Sequence, residues 1–213
     1  MTLPEYFHII NHPVIEHKLT QIRNETTQPK EIRELVKEVS VLLGYESAKK
    51  LPVKSVKIKT PFIQTHSGKI PMGNIIIVPI LRAGLGMLGG LLSLFPKAKV
   101  GHVGMERNHV SYLPSDYYFK IPPNSEDHFF FVIDPMLATG GTVTATVQKL
   151  KDSGAKDIRF LCLIAAPEGV NAFCNAHTEV EVFAGALDER LNGDKYIVPG
   201  LGDAGDRLYG TES

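Results

Sequence analysis

Phe129-Phe130-Phe131-Val132-Ile133-Asp134-Pro135-Met136-Leu137-Ala138-Thr139-Gly140-Gly141-Thr142 is the stretch from which the organisation of the chain unfolds. Five apolar residues in a row, Phe129 to Ile133, predict a strand buried on both faces. The run stops at an acid, passes through a Gly-Gly turn and enters a helical pattern from Val143 to Lys151 that ends at Ser153-Gly154. A second apolar strand follows at Ile158 to Ala166, then a short helix near Val170 to Cys174, then a third strand at Val180 to Ala184. Strand–helix–strand–helix–strand with continuous apolar strands predicts an α/β fold, a parallel sheet flanked by helices on both faces. Ligands of such sheets bind beyond the carboxyl ends of the strands. Those ends are where the chemistry is to be sought.

Working outward from this core, Asn74 to Leu81 reads as another buried strand and Gly86 to Phe95 as a small apolar helix. Ile75 to Phe95 spans 21 residues with one charge, Arg82, but Pro79 and several glycines break it, so two globular elements explain it better than a membrane span. Pro29 to Leu43 has a helical apolar face, with Gly44 as its expected stop. Val53 to Lys59 alternates as a strand with one wet face, and His66-Ser67-Gly68-Lys69 is a turn candidate. Between Ser111 and Asp127 the periodicity dissolves into tyrosines and prolines, which reads as a loop or an arm over a site or a second subunit.

The whole chain has 213 residues, with 23 Lys plus Arg against 23 Asp plus Glu. This neutrality excludes nucleic-acid binding by bulk charge and an acidic disordered chain, but not a site built from a few cations. Met1 to Glu5 shows no basic region followed by an apolar run, so no signal peptide and a cytoplasmic protein are expected. Cys162 and Cys174 sit in apolar stretches without redox or metal spacing and read as reduced packing residues. The eight histidines are scattered, and none is assigned to metal or catalysis.

Two loops carry the chemistry. In the first, Gly140-Gly141 lets the backbone approach a ligand, the amides opening the following helix lack partners, and Thr139 and Thr142 add hydroxyls. Asp134 at the strand end can accept from sugar hydroxyls. A phosphate cup beside a diol acceptor suits a ribose 5-phosphate, although Thr-Gly-Gly-Thr alone is equally a plain turn with a helix cap. In the second loop, Gly84-Leu85-Gly86-Met87-Leu88-Gly89 matches the dinucleotide pattern G-x-G-x-x-G, and Glu106 follows Gly89 by 17 residues. Pro79 and Arg82 intervene between strand and first glycine, however, so Arg82-Ala83-Gly84 reads better as an anion loop of its own.

Four segments together resemble the uracil phosphoribosyltransferase family. They are Val78 to Met87, Asp134 to Thr142, Ala165 to Gly169, and Tyr196-Ile197-Val198-Pro199-Gly200-Leu201-Gly202-Asp203-Ala204-Gly205-Asp206; His17-Lys18-Leu19 and the Arg33-Glu34-Leu35 helix are similar too. The resemblance implies a single type I phosphoribosyltransferase-like domain over 1–213. Residues 1–70 and 185–213 would form a hood, and a flexible arm would span about 106–127. It implies transfer of the 5-phosphoribosyl group from 5-phospho-α-D-ribose 1-diphosphate (PRPP) to N1 of uracil, giving UMP and diphosphate. On this reading Asp134, Pro135, Met136, Leu137, Ala138, Thr139, Gly140, Gly141 and Thr142 bind the donor, with the 5-phosphate on Ala138 to Thr142. Arg82, Arg107 and Asp203 bind its diphosphate. Ile197 and the Gly202-Asp203-Ala204 backbone read uracil, and Asp134, Arg82 and Asp203 form the catalytic set.

Mg2+ is implied, carried mainly by the substrate diphosphate with Asp203 as its candidate protein ligand. A homodimer or higher homo-oligomer is implied, and a GTP effector as in some members; neither nucleic acid nor membrane is. The sequence departs from the family's pattern at Glu106, where an aromatic residue is usual, and in Asn108 to Tyr112. Pro135 stands where many phosphoribosyltransferases carry a second acid, which leaves one carboxylate for the diol. Two rivals are a catalytically silent nucleotide-sensing or RNA-binding relative, and a dinucleotide-dependent oxidoreductase using Gly84 to Gly89.

Overall fold

The computed structural model describes residues 3–107, 114–123 and 126–211. In chain order the N-terminal elements are β1 (Phe7–Ile9), α1 (Pro13–Arg23), α2 (Pro29–Ser47), β2 (Lys54–Lys59) and β3 (Gln64–Lys69). There follow β4 (Ile75–Leu81), α3 (Leu85–Leu94), β5 (Lys99–Val100), β6 (His102–Arg107) and β7 (Pro114–Lys120). The C-terminal half holds β8 (Phe129–Ile133), β9 (Met136–Leu137), α4 (Gly141–Asp152), β10 (Asp157–Ala165), α5 (Pro167–Ala176), β11 (Glu181–Leu187), β12 (Arg190–Leu191), β13 (Ile197–Val198) and α6 (Ala204–Tyr209).

The main sheet runs β1-β11-β10-β8-β4-β6-β7, with β5 beside β4 and β9 beside β10. All its pairings are parallel except β6 with β7. The uninterrupted apolar runs are explained by two cores, one on each face. Ile75, Ile77, Phe131, Ile133, Leu161 and Leu163 pack with α1, α2, α3 and α6. The alternate residues Ile76, Val78, Phe130, Val132, Phe160 and Cys162 pack with α4 and α5. The α/β fold class and the succession β8–α4–β10–α5–β11 therefore agree with the sequence pattern. Both cysteines are free and buried, and among the described residues no helix is long and apolar enough to cross a membrane.

Three expectations are corrected. Gly44 does not end its helix: α2 continues to Ser47. A Cβ at Gly44 would lie 2.8 Å from Leu91 Cδ1, so glycine serves there to let α3 pack closely. His66 to Lys69 is strand, not turn. The turn of the β2–β3 hairpin is at Thr60 to Ile63, where Thr60 Oγ1 accepts from the N–H groups of Phe62 and Ile63. This hairpin is a separate two-stranded sheet, so β2 is mostly exposed on both faces rather than wet on one.

The stretch read as patternless contains β7, the return strand of an antiparallel hairpin with β6. Tyr117, Tyr118 and Phe119 suit a strand, and the prolines stand at its first residue and past its end, where no ladder bond is lost. Lys149 Nζ of α4 lies 4.8 Å from the centroid of the Phe119 ring. Residues 108–113 and 124–125 of the expected arm lie outside the described residues.

Candidate active site

β4 and β8 are neighbours, paired from Ile75 with Phe129 to Pro79 with Ile133, so their carboxyl ends open side by side. The loop after β4 lies hard against the end of β8: a Cβ on Gly84 would fall 2.5 Å from Ile133 O and 2.6 Å from Ile80 N and O. Only a residue without a side chain permits this approach. Gly84 N–H donates to Ile80 O at 2.9 Å, and the N–H groups of Leu85, Gly86 and Met87 turn back on loop carbonyls. Among the described residues no backbone carbonyl holds the N–H of Arg82 or Ala83. The Leu81–Arg82 peptide is cis.

After β8 the chain forms the second loop. Asp134 N–H donates to Leu161 O at 3.2 Å, which fixes the acid at the strand end. Gly140 is left-handed, with φ +81°, and stands as N-cap of α4 without any side-chain cap bond. The first bond into the helix is Thr144 N–H to Gly140 O at 3.0 Å, so the N–H groups of Gly141, Thr142 and Val143 point outward. Uncapped amides at the positive end of a helix dipole are a ready anion site. A hollow of about 70 Å³ lies here, lined by Asp134, Met136 to Gly140, Thr142 and Val143. By contrast, α1 and α6 carry side-chain caps, from His12 and Asp203.

The C-terminal segment closes over these loops. Asp203 Oδ1 accepts from Asp206 N–H at 2.9 Å, and Arg82 Nη2 lies 3.4 Å from Asp206 Oδ1. Tyr209 donates its hydroxyl to Arg82 O at 3.2 Å. The guanidinium of Arg82 is more than half exposed, so this contact holds it lightly. Ile197 and Ala204 are buried, Gly202 is exposed, and Gly200 and Gly202 have positive φ. Val198–Pro199 is cis. The β12–β13 hairpin that carries Ile197 is tied to α5 by Leu191 N–H donating to Glu168 Oε1 at 3.0 Å. That bond holds the Glu168 carboxyl below its ordinary range.

Burial pushes the Asp134 carboxyl up to about 7; the Met136 N–H opposes this and the nearby Asp203 charge adds to it. One acid is thus poised near neutrality at the junction of the two loops, which makes it a candidate functional group. Burial, then the charge of Asp134, raises the Cys162 thiol well above its ordinary range, so it is no nucleophile.

The structure brings Asp134 near Asp203, and Arg82 to the Asp206 that Asp203 caps, with the hollow of the Asp134 to Val143 loop beside them. Arg107 ends β6. Leu81 pairs in parallel with Gly104, so the backbone of β6 runs on to Arg107 at the same, carboxyl, end of the sheet. The side chains of Glu106 and Arg107, and all of 108–113, lie outside the described residues. Gly86 does not fit a dinucleotide fingerprint: a Cβ there would meet Leu208 at 2.8 Å, so it packs α3 on α6. The contact of Asp206 with Arg82 is not among the sequence expectations; the available signal was the spacing Asp203-x-x-Asp206, an N-cap acid followed by an acid in the first turn of a short helix.

Comparison with known proteins agrees with this geometry. The uracil phosphoribosyltransferase family profile matches residues 9–211. A uracil phosphoribosyltransferase of Bacillus velezensis is 53% identical over 206 residues, covering 96% of this chain and 98% of the relative. One of Streptococcus pneumoniae is 52% identical over 204 residues, covering 96% and 98%. A solved Aquifex aeolicus protein superposes with a TM-score of 0.92 at 36% identity, covering 97% of this chain and 99% of the other. The adenine phosphoribosyltransferase of Trypanosoma brucei shares the fold alone, with a TM-score of 0.53 at 12% identity over 88% of this chain and 87% of that one.

Proposed function

The chain belongs to the uracil phosphoribosyltransferase family, and from that premise we propose that it transfers the 5-phosphoribosyl group of PRPP to N1 of uracil. The products are UMP and diphosphate, a salvage of free base. The observation that carries the reading is two anion loops packed against each other at one sheet end, with a single acid, Asp134, at their junction.

The assignment of roles follows from the chemistry of each group. The amides opening α4, with Thr139 and Thr142, take the 5-phosphate; the loop from Pro135 to Gly141 wraps it. Asp134 accepts from the ribose hydroxyls. The N–H groups of Arg82 and Ala83, with the Arg82 guanidinium, take the diphosphate; Arg107 approaches it from β6. The backbone of Ile197 and Gly202 to Ala204 reads the edge of uracil, which presents two carbonyl acceptors and one N–H donor. These last residues belong to a hood formed by residues 1–70 and 185–213.

In the reaction the C1–O bond to diphosphate breaks as uracil N1 bonds to C1, and the N1 proton is released. Negative charge grows on the departing oxygen and positive charge on the ribose ring. Arg82 and the loop amides stabilise the first, and the Asp134 carboxylate the second. The loop amides are fixed by the packing of their backbone, so they need no reorganisation as charge moves.

Mg2+ fits the residues present as a passenger on the donor. Among the described residues no three His, Cys, Asp or Glu side chains cluster to hold a resident metal. Asp203, with one oxygen on the Asp206 N–H, offers a single carboxylate beside the diphosphate loop. Bound there, Mg2+ supplies charge neutralisation of the leaving diphosphate.

A homo-oligomer is supported by the exposed apolar side chains of the β2–β3 hairpin, among them Phe62 and Ile63. A GTP effector rests on the family alone. A cytoplasmic location is in keeping with two free thiols. The test of the activity is formation of UMP and diphosphate from uracil and PRPP with Mg2+ by the folded protein. Absence of turnover overturns it.

A further inference from the structure

We propose that Arg23 and Asp188 are positioning residues for base recognition, a clamp that sets the selectivity of the 197–204 backbone for uracil. The inference rests on the proposed reading of that segment. A strip of backbone that reads a base with its own N–H and C=O groups has no side chain to adjust. Its aim must come from whatever holds the backbone still.

In this structure the holders are identifiable. Arg23, the last residue of α1, grips Asp188 with both nitrogens of its fork: Nη1 to Oδ2 at 2.7 Å and Nη2 to Oδ1 at 2.6 Å. The pair then takes both backbone groups of Gly200. Arg23 Nη1 donates to Gly200 O at 2.7 Å, and Gly200 N–H donates to Asp188 Oδ2 at 2.9 Å. Gly200 lies between Ile197 and Gly202, the positions assigned to uracil. Its φ is +65°, and a Cβ there would fall 2.0 Å from Ile197 O, so the turn is tight and any shift at Gly200 passes to Ile197.

Asp188 is itself fixed. Its side chain is 4% exposed, and its N–H donates to Ala165 O at 2.8 Å, anchoring it at the end of the sheet. Its carboxylate meets the Arg23 fork and one backbone donor, so no buried charge is left uncompensated. The next residue of the segment is held in the same way. The buried Arg207 donates to Leu201 O at 2.9 Å, to Asn24 O at 2.6 Å and to Ile22 O. The end of α1 thus supports the segment at two successive residues, while none of α1 lines the hollow of the phosphate loop. A clamp so placed acts on the base-reading backbone, while Asp203, assigned to the diphosphate, keeps its own tie to the Asp206 N–H.

The experiment compares Arg23→Lys, Arg23→Met and Asp188→Asn with the unaltered protein, by kcat/KM for uracil, 2-thiouracil and 4-thiouracil. Each thio base weakens one carbonyl acceptor, so the ratio to uracil reports how well the backbone aims at that atom. Misplacing a recognition group by about 1 Å costs on the order of 100-fold. The expected result is a uracil preference that flattens by about tenfold or more in Arg23→Met and Asp188→Asn, with KM for PRPP within about twofold. Arg23→Lys keeps the charge but loses the fork and should fall between; it is also the variant to read if Arg23→Met does not fold.

Gly202→Ala, a strained residue inside the segment, separates the two possible failures. If Gly202→Ala changes the thio-base ratios and the clamp variants do not, the clamp is overturned and the reading of the segment stands. If none of the four changes them while UMP still forms, that reading falls as well. Equal losses for all three bases and for PRPP, with a lowered Tm, would mean a merely structural pair and also overturn the proposal.

Discussion

Asp134→Asn removes the charge of the acid at the junction of the two loops while keeping its shape, and it should move stability and activity in opposite directions. Burial raises this carboxyl from 3.8 to about 7. The folded protein therefore holds a proton there that the unfolded chain has already released between those two values. Stability contributed by the neutral acid is fully present below about pH 4 and is lost as pH rises towards 7. At 1.36 kcal/mol per pKa unit, the rise corresponds to about 4 kcal/mol of cost to the folded state above pH 7. Asp134 is only half-buried, so water relieves part of this, and Asp134→Asn should gain roughly 1–3 kcal/mol at pH 8 and nothing at pH 4. Denaturant titration at both pH values checks the difference.

Activity runs the other way. The ionised acid is needed where positive charge grows on the ribose, and kcat/KM for PRPP reports its ionisation in the free enzyme. With a pKa of about 7, the ionised fraction falls about tenfold between pH 8 and pH 6. The Asp134→Asn profile, which retains only the ionisation of PRPP itself, serves as the baseline, displaced downward by about 100-fold or more. Two results would refute the reasoning: a variant keeping half of the wild-type kcat/KM, or the same dependence of stability on pH in both proteins.

Other expected outcomes are these. Arg82→Ala should cut kcat/KM for PRPP by about 100-fold, as loss of one charge-stabilising donor does, while its Tm barely moves because the guanidinium is exposed and holds Asp206 at only 3.4 Å; steady-state kinetics and a melting curve decide. Gly84→Ala forces a methyl to within 2.5 Å of Ile133 O and should cost about 1–3 kcal/mol of stability, read by denaturant titration, together with weakened PRPP binding by calorimetry. His177 is buried, with its Nε2 3.1 Å from Thr144 O and its Nδ1 2.7 Å from Lys151 Nζ. Burial lowers its pKa, so its stabilising contribution is present above about pH 6.5 and lost as pH falls below that; His177→Gln should flatten the acid limb of the Tm profile.

What could be read from the sequence was what short-range pattern encodes. β4, β8 and β10 are legible because strands covered on both faces are apolar throughout, and the two anion loops because glycine, threonine and arginine stand at strand ends. The elements misread are those whose structure depends on a partner far along the chain. β1 has only three residues and exists because it pairs with β11. The turn between β2 and β3 was misplaced because β3, Gln64–Lys69, has no apolar residue and so no alternation to mark it as a strand. β7 was hidden by its prolines and given away only by pairing with β6. Nothing local marks Asp188 as the residue that meets Arg23 across 165 residues.

This division has a functional reason. On the proposed assignment donor recognition is built from continuous β–loop–α units, β4 to α3 and β8 to α4, in which the binding amides, the glycines that expose them and the strands that fix them lie within a few residues. Such a unit must keep its sequence pattern wherever the fold binds the same phosphates, so pattern reveals it. On the same assignment base recognition is assembled at the two ends of the chain, from the close of α1 and the segment after β11, which Arg23, Asp188 and Arg207 join. It uses backbone groups, which leave no side-chain signature at all. A change of base preference can then arise by altering the supports while both anion loops stay intact. The neutral net charge fits the same arrangement: phosphates are held by local dipoles and a few placed cations, so the surface as a whole needs no positive excess.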